Sequence, residues 1–319
     1  MSICRAKRLL SSVLIGGSLL IGLPWLVGQI ASDRWWWSQW LLWIPSFLLC
    51  LAGLLLWAGL LLKRSKWHPV GVGLAIAGLL LFVLTHWSPG EPSTAPSIRI
   101  LHWTAGPTLG KTEPYARFIV DTDADITIVE GARRAAADPA MRDWGAGMTL
   151  AMRGQFLIAS RLPITRLRTV AWAHDILLFT LEVKKSDGNP LRLLIVDLPS
   201  SPDRDRGEII DTAHRLLDRL DQEPDLILGD FNLTQASWQL RRFRAGYRPA
   251  WSAAGVGWGG TWPRTMPLYR LDHVLTKPNT RLASLATTDP ACGGHRAQLI
   301  EVASGEPPED EGYPPESSQ

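Results

Sequence analysis

The chain has 319 residues, of which 46% are hydrophobic and 20% charged, and its net charge is +3. That much apolar side chain excludes a disordered polymer, and cysteines only at positions 4, 50 and 292 exclude a disulfide scaffold. The positive balance does not mark a nucleic-acid binder. Residues 1–90 hold seven basic and one acidic side chain, so this segment alone supplies +6.

Three stretches in that segment lack Asp, Glu, Lys and Arg: Leu9–Ile30, Trp40–Leu62 and Pro69–Trp87. Each is close to the roughly 20 apolar residues that carry a helix across a bilayer core. Trp35, Trp36, Trp37, Trp40, Trp67 and Trp87 gather at their ends, where an amphipathic ring prefers the headgroup zone. The first stretch has the basic start of a signal peptide (Arg5, Lys7, Arg8). Its length, Pro24, the lack of a small-residue cleavage pattern and the spans that follow argue for a retained helix.

Lys63, Arg64 and Lys66 lie in the second loop, whereas the first has only Arg34 beside Asp33. Basic loops stay cytoplasmic. The expected protein is therefore a multi-pass protein of the cytoplasmic membrane. Its N-terminus and the 63–68 loop lie inside, and everything after Trp87 lies outside. The expected organisation is a membrane anchor over 1–88 with three transmembrane helices (about 9–30, 40–62 and 69–87). A Pro/Ser-rich linker over 89–97, a domain over 98–302 and a disordered acidic tail over 303–319 follow.

Within 98–302 short Ile/Val/Leu-rich runs predict strands over Ser97–Trp103, Ile126–Glu130, Phe156–Ala159, Ile176–Val183, Leu191–Leu198, Leu226–Gly229 and Leu271–Leu275, with another apolar run over Ala297–Val302. Ile209, Ile210, Ala213, Leu216, Leu217 and Leu220 recur at helical spacing between two of these strands, which implies a βαβ-type crossover and an α/β or α+β domain. Gly255–Gly260 has no helix pattern after it, so it reads as a mobile loop and not as a dinucleotide fingerprint.

HExxH, CxxC, GxSxG and a phosphate-binding P-loop are all absent, and the seven histidines are scattered. The chemistry-bearing residues stand at strand ends instead. The strand Leu226-Ile227-Leu228 stops in Gly229-Asp230-Phe231-Asn232, and side-chain alternation sends Asp230 and Asn232 to the same side. Ligands of open α/β sheets favour such carboxyl ends. Ile126–Glu130 also ends in a carboxylate, Asp272 sits in an apolar strand, and Gly293-Gly294-His295 puts an imidazole at a strand entrance.

Taken in order, these segments resemble the endonuclease/exonuclease/phosphatase superfamily, the deoxyribonuclease-like fold, over about residues 98–302. The resemblance is carried by Ile100-Leu101-His102-Trp103, Asp125 to Glu130, Ser160-Arg161-Leu162-Pro163-Ile164, Gly229-Asp230-Phe231-Asn232, Thr261-Trp262, Arg270-Leu271-Asp272-His273 and Gly294-His295. It implies a four-layer αββα sandwich of two packed mixed sheets after the three membrane helices. It also implies a metal-dependent phosphoric ester hydrolase. Glu130 matches the carboxylate that holds the divalent metal, Mg²⁺ or alternatively Mn²⁺. Asp230 matches the acid that activates or orients the attacking water, and Asn232 the amide on the phosphate. His295 matches the imidazole on the phosphate, and Asp272 the carboxylate paired with it.

Three positions depart from the family pattern. Thr104 stands where the family has Asn, Asp197 where it has His, and Gly294 where it has Asp; Thr104 and Asp197 are accessory site residues on this reading. The expected activity is hydrolysis of phosphodiester or phosphomonoester bonds outside the cytoplasm by metal-assisted attack of water. A phospholipid headgroup, nucleic acid or a small phosphodiester would be the substrate, the bilayer is the other partner, and no protein partner is implied. The three departures also fit an alternative, a module that binds a phosphorylated ligand or signals at the membrane without turnover. Trp251, Trp258, Trp262 and the basic run Arg241, Arg242, Arg244, Arg248 are candidate substrate contacts.

Overall fold

A computed structural model describes residues 3–92, 97–107 and 111–303. The acidic tail beyond 303 and positions 93–96 of the expected linker lie outside the described residues. Four helices come first: α1 (Ile3–Ala31), α2 (Trp36–Leu42), α3 (Phe47–Leu62) and α4 (His68–His86). By length and composition two helices, Cys4–Ala31 and His68–His86, are long and apolar enough to cross a membrane. Small residues let α3 and α4 touch at their backbones. A Cβ on Gly53 would stand 2.3 Å from the Ala75 nitrogen, and one on Gly71 2.3 Å from the Trp57 nitrogen.

The second expected span is not one helix. α2 and α3 meet at 72°, so a third crossing exists only if the bent pair counts as one. Pro45 explains the break, because it lacks an N–H and disfavours the helical conformation at Ile44. Ser38, Gln39 and Leu42 of α2 are buried. Gln39 reaches the C-terminal domain, where its Nε2 donates to the carbonyls of Pro202 (2.9 Å) and Arg204 (3.1 Å).

The rest of the described chain forms two mixed sheets with helices on their outer faces. One sheet contains β1 (Trp87–Pro89), β2 (Ser97–Thr104), β3 (Ile126–Glu130), β4 (Thr149–Arg153) and β5 (Phe156–Ser160). The other holds β6 (Ile164–Ala173), β7 (Ile176–Lys184), β8 (Pro190–Asp197), β9 (Leu226–Asp230) and β10 (Arg248–Pro249). β11 (Gly255–Trp258), β13 (Leu282–Thr288) and β14 (Ala297–Ala303) return to the first sheet, and β12 (Asp272–Thr276) to the second. The strand orders are β1-β11-β13-β14-β2-β3-β5-β4 and β10-β12-β9-β8-β7-β6.

Side-chain alternation gives each sheet two apolar faces. Ile100, Ile126, Ile128 and Ile158 of one sheet meet Phe179, Leu193, Ile195 and Leu228 of the other in a central core. Outside the first sheet, α5 (Glu113–Thr122) and α6 (Pro139–Trp144) cover Leu101, Trp103 and Val129 with Tyr115, Ile119 and Met141. Outside the second, α7 (Arg206–Leu217) and α8 (Trp238–Phe243) cover Leu194, Val196 and Ile227 with Ile209, Ile210, Ala213 and Leu240. This is the expected αββα layering.

Two sequence expectations need correction. Gly255–Trp258 is a strand, not a mobile loop. Trp258 stacks on His86 with ring centroids 5.1 Å apart, and the strand pairs with β1 and β13. A Cβ on Gly259, just beyond the strand, would lie 2.5 Å from the Trp251 ring, so the glycines read as loop formers instead admit that ring. Trp87–Pro89, which spans the expected end of the anchor and the first linker residue, is the edge strand β1. The short helix α9 (Ala250–Ala254) carries buried Trp251 into this corner.

Candidate active site

Strand register assembles most of the site. β8 and β9 are parallel with Asp197 opposite Asp230, and β12 is antiparallel to β9 with Asp272 opposite Asp230. Three carboxylates therefore stand side by side on three adjacent strands, and a one-residue slip would turn any of them to the other face. In the other sheet Thr104 and Glu130 are partners at the ends of β2 and β3. The two sheets meet here, where Thr104 Oγ1 donates to Asp272 Oδ1 at 2.6 Å.

Local backbone chemistry fixes the turn after β9. Gly229 has φ 150°, and a Cβ there would lie 1.8 Å from the Val196 carbonyl oxygen, so only glycine lets β9 approach β8 this closely. Asp230 Oδ1 accepts from the Asn232 N–H at 2.9 Å, an Asx turn that holds Asn232 in the left-handed region at φ 49°. Asn232 Nδ2 donates to the Leu198 carbonyl at 2.9 Å.

His295, just before β14, lies between two of the carboxylates. Its Nδ1 is 2.8 Å from Asp272 Oδ2 and its Nε2 is 4.0 Å from Asp230 Oδ2. Burial opposes the imidazolium, but Asp272 outweighs it and holds the His295 pKa up at about 9. The same pairing overcomes burial at Asp272 and brings that carboxyl down to about 2. Asp230, buried and facing Asp272, moves well above the usual carboxylate range.

Glu130 is the residue most in need of a cation. It is 9% exposed, and burial followed by the charges of Asp197, Asp230 and Asp272 pushes its pKa to about 9. Gln155 Nε2 donates to Glu130 Oε1 at 2.6 Å and to Asp197 Oδ2 at 3.1 Å. Glu130 Oε2 is buried with no hydrogen-bond partner. Burial likewise carries Asp197 to about 7, against the Gln155 hydrogen bond. Asp230, Asp272 and His295 each offer a ligand atom within 4.8 Å of one another. Hard oxygen donors, an orphaned carboxylate oxygen and clustered negative charge fit Mg²⁺ or Mn²⁺.

Glu130, Asp197, Asp230, Asn232 and His295 all line one cavity of about 740 Å³. Asp272 and Thr104 stand behind them, joined by the hydrogen bonds already given. All seven residues singled out in the sequence thus come together.

The comparisons with known proteins agree with this fold. A model of the endonuclease/exonuclease/phosphatase family matches residues 82–293. The chain belongs to that family. Its fold is similar to that of a conserved protein of unknown function from Enterococcus faecalis V583, with 14% identity, a TM-score of 0.52 and coverage of 65% of this chain and 100% of the other. A family member from Bacteroides thetaiotaomicron gives 13% identity, a TM-score of 0.50 and coverage of 66% and 98%. A humanised D. rerio TDP2 gives 14%, 0.51, 65% and 99%. No curated protein matches the chain.

The three departures from the family pattern have local explanations. Thr104 spends its hydroxyl on Asp272. Asp197 shares the Gln155 amide with Glu130. Gly294 serves through its backbone: its N–H donates to the Ala105 carbonyl and its carbonyl accepts from the Arg264 N–H, both at 3.0 Å. His295 lies just past the matched span, and its place in the site rests on geometry.

Sequence reasoning missed four kinds of contribution. Gln155 follows Gly154 in the turn between β4 and β5, and β4 itself went unread, so nothing marked the amide. Thr261 Oγ1 accepts from the N–H groups of Leu271 and Asp272 at 3.0 and 3.2 Å and fixes the start of β12. Arg206 lines the cavity, with its guanidinium turned to the carbonyls of Pro199, Ser200 and Ser201. Gln39, Trp40 and Trp43 reach the cavity from the N-terminal helices. Of the candidate substrate contacts, only Trp262 lines it. Trp251 is buried under Arg270, and Arg242 is paired with Asp211 at 2.7 Å away from the site.

Proposed function

We propose that this chain is a membrane-anchored, divalent-metal-dependent phosphoesterase whose domain over about 98–302 works outside the cytoplasm. The observation that carries the reading is the orphaned Glu130 Oε2 beside the Asp230–His295–Asp272 cluster. Glu130 would hold the cation, with Asp197 beside it. The cation would supply charge neutralisation at the nonbridging phosphate oxygens. The chain's own groups supply the rest. Asp230, at the end of β9 and lining the cavity, is placed to orient the attacking water and take its proton. His295, kept protonated by Asp272, donates from Nε2 to the phosphate as negative charge grows. Thr104 keeps the Asp272 carboxylate turned toward the imidazole.

The family match supports hydrolysis of a phosphate ester, and the apolar α1 and α4 support the tether. The test is turnover of bis-(p-nitrophenyl) phosphate by the full chain in detergent with Mg²⁺, Mn²⁺ or EDTA. Metal-dependent hydrolysis that collapses in Asp230→Ala and His295→Ala is expected. Equal background rates in the wild type and both variants would leave the site as a binding module. A topology reporter fused after residue 302 tests the outer location, and a cytoplasmic signal would overturn it.

A further inference from the structure

The catalytic cavity has two unlike walls. Strand ends supply one, with Glu130, Asp197 and Asp230. The other comes from the N-terminal helices: Trp40 and Trp43 face the cavity beside Trp262 of the domain. Trp43 packs edge-on to Trp262 at 6.4 Å and against Tyr269 at 5.0 Å, and Tyr269 Oη donates to the Trp43 carbonyl at 2.6 Å. This wall is built into the protein. Gln39 bridges α2 to Pro202 and Arg204, and its Oε1 accepts from the Arg206 N–H at 3.3 Å.

Where α2 lies decides what can reach the cavity. It joins the end of α1 to the start of α3, both apolar, so an anchored chain must keep it at the lipid surface. Its Trp36, Trp37 and Trp40 are about half exposed, at 51%, 52% and 46%. Trp40 therefore touches both the outside of the bundle and the inside of the cavity.

The charges disfavour a polyanion. A strand of nucleic acid needs cationic side chains along its path. The cavity's lining includes two: His295, which is paired with Asp272, and Arg206, whose guanidinium is committed to backbone carbonyls. A single phosphate held at the acidic wall, with an apolar remainder against the tryptophans, fits both walls.

We propose that the substrate is the phosphate ester of a membrane lipid, admitted from the bilayer along α2, with Trp40 and Trp43 holding its apolar portion. This rests on the phosphoesterase reading above and deepens it. The inserted helix makes the lipid site composite: the domain carries the chemistry and the anchor carries the selectivity.

The test uses the full chain in nanodiscs of phosphatidylethanolamine containing phosphatidylglycerol or phosphatidic acid, with Mn²⁺. Release of glycerol phosphate or inorganic phosphate is followed, and bis-(p-nitrophenyl) phosphate and a single-stranded oligonucleotide serve as soluble substrates. The two lipids separate a diester from a monoester preference. The ratio of lipid to soluble-diester kcat/KM is expected to fall about tenfold or more in Trp40→Ala and Trp43→Ala, the scale of losing apolar contacts in a binding pocket. Trp40→Phe is expected to restore most of it, which separates ring contact from misfolding. An unchanged ratio in both Ala variants overturns the inference while leaving the phosphoesterase reading intact. So does turnover of the oligonucleotide and the soluble diester with none of either lipid. Absence of turnover on every substrate overturns both.

Discussion

The two walls of the cavity are made by different rules. The acidic wall is a product of register: Asp197, Asp230 and Asp272 are neighbours because β8, β9 and β12 are neighbours. The aromatic wall is a product of docking: a seven-residue helix, bent away from α3 at Pro45, is pinned by side-chain hydrogen bonds to a domain far along the chain. A register-built wall tolerates little, because a slip of any one strand turns its carboxylate away from the other two. A docked wall can shift by itself. On the reading proposed above, chemistry belongs to the first and access to the second.

The comparison breaks most readily at Asp230. Asp230→Asn is expected to lower kcat on a soluble diester by about 10³-fold, the range for losing a positioned general base. It should also raise the melting temperature of the metal-free protein, because a buried carboxylate with a raised pKa costs stability at neutral pH. Lost activity together with lost stability would place Asp230 among ordinary structural residues.

Asp272→Asn should act one step removed. Without its carboxylate, burial lowers the His295 pKa from about 9. The alkaline limb of the pH–rate profile is therefore expected to move to lower pH, with a loss of about 10²-fold at neutral pH. An unmoved limb would mean that protonated His295 does not act in turnover.

These residues were legible in the sequence because each ends or begins an apolar strand, and alternation says which way it points. The buried strands were legible for the same reason. β6 was not: its Ile164–Ala173 run carries Arg166 and Arg168 on an edge that faces solvent, so no apolar run announces it. β4 is the opposite edge of the other sheet, and with it went Gln155. The bend inside the second expected span was not legible because hydropathy is blind to direction. Trp40–Leu62 is apolar throughout, but Trp40, Leu41 and Leu42 belong to a helix that serves the domain. No local pattern says that Gln39 will find Pro202, because the contact spans 163 residues.

The acidic wall also predicts how metal and pH interact. Glu130 and Asp197 rise to about 9 and about 7 from ordinary values of 4.5 and 3.8. A raised folded-state pKa means that the stability is fully present below the unfolded value and is lost as pH rises through the folded one. The metal-free protein should therefore soften between about pH 4 and pH 9. His295 loses its proton in the upper part of that window and adds to the loss. Mn²⁺ or Mg²⁺ offsets the exposed repulsion, so the metal-induced gain in melting temperature should grow from pH 5 to pH 8. Glu130→Gln should flatten that growth. A metal-induced gain independent of pH in the wild type would rule out Glu130 as the group that needs the cation.

The smallest effect is expected at the docking of the aromatic wall. Asp33, just before α2, is buried and caps α8: its Oδ1 accepts from the N–H groups of Trp238 at 2.7 Å and Gln239 at 3.2 Å, and its Oδ2 accepts from the Ser237 hydroxyl. Ser32 Oγ adds a bond to the Ala236 carbonyl at 3.1 Å. Asp33→Ala takes the acceptor from the Gln239 N–H and the Ser237 hydroxyl, while the Trp238 N–H keeps Ser32 Oγ at 2.9 Å, at a cost of about 1–3 kcal/mol. The cost falls on docking and not on the strands, so proteolysis within 32–46 should speed up in detergent while the metal-induced melting shift persists. Asp33→Asn keeps the Oδ1 acceptor and should lose less. If Asp33→Ala instead abolished metal binding, the two walls would not be independent, and the segment before α2 would help hold the strand ends together.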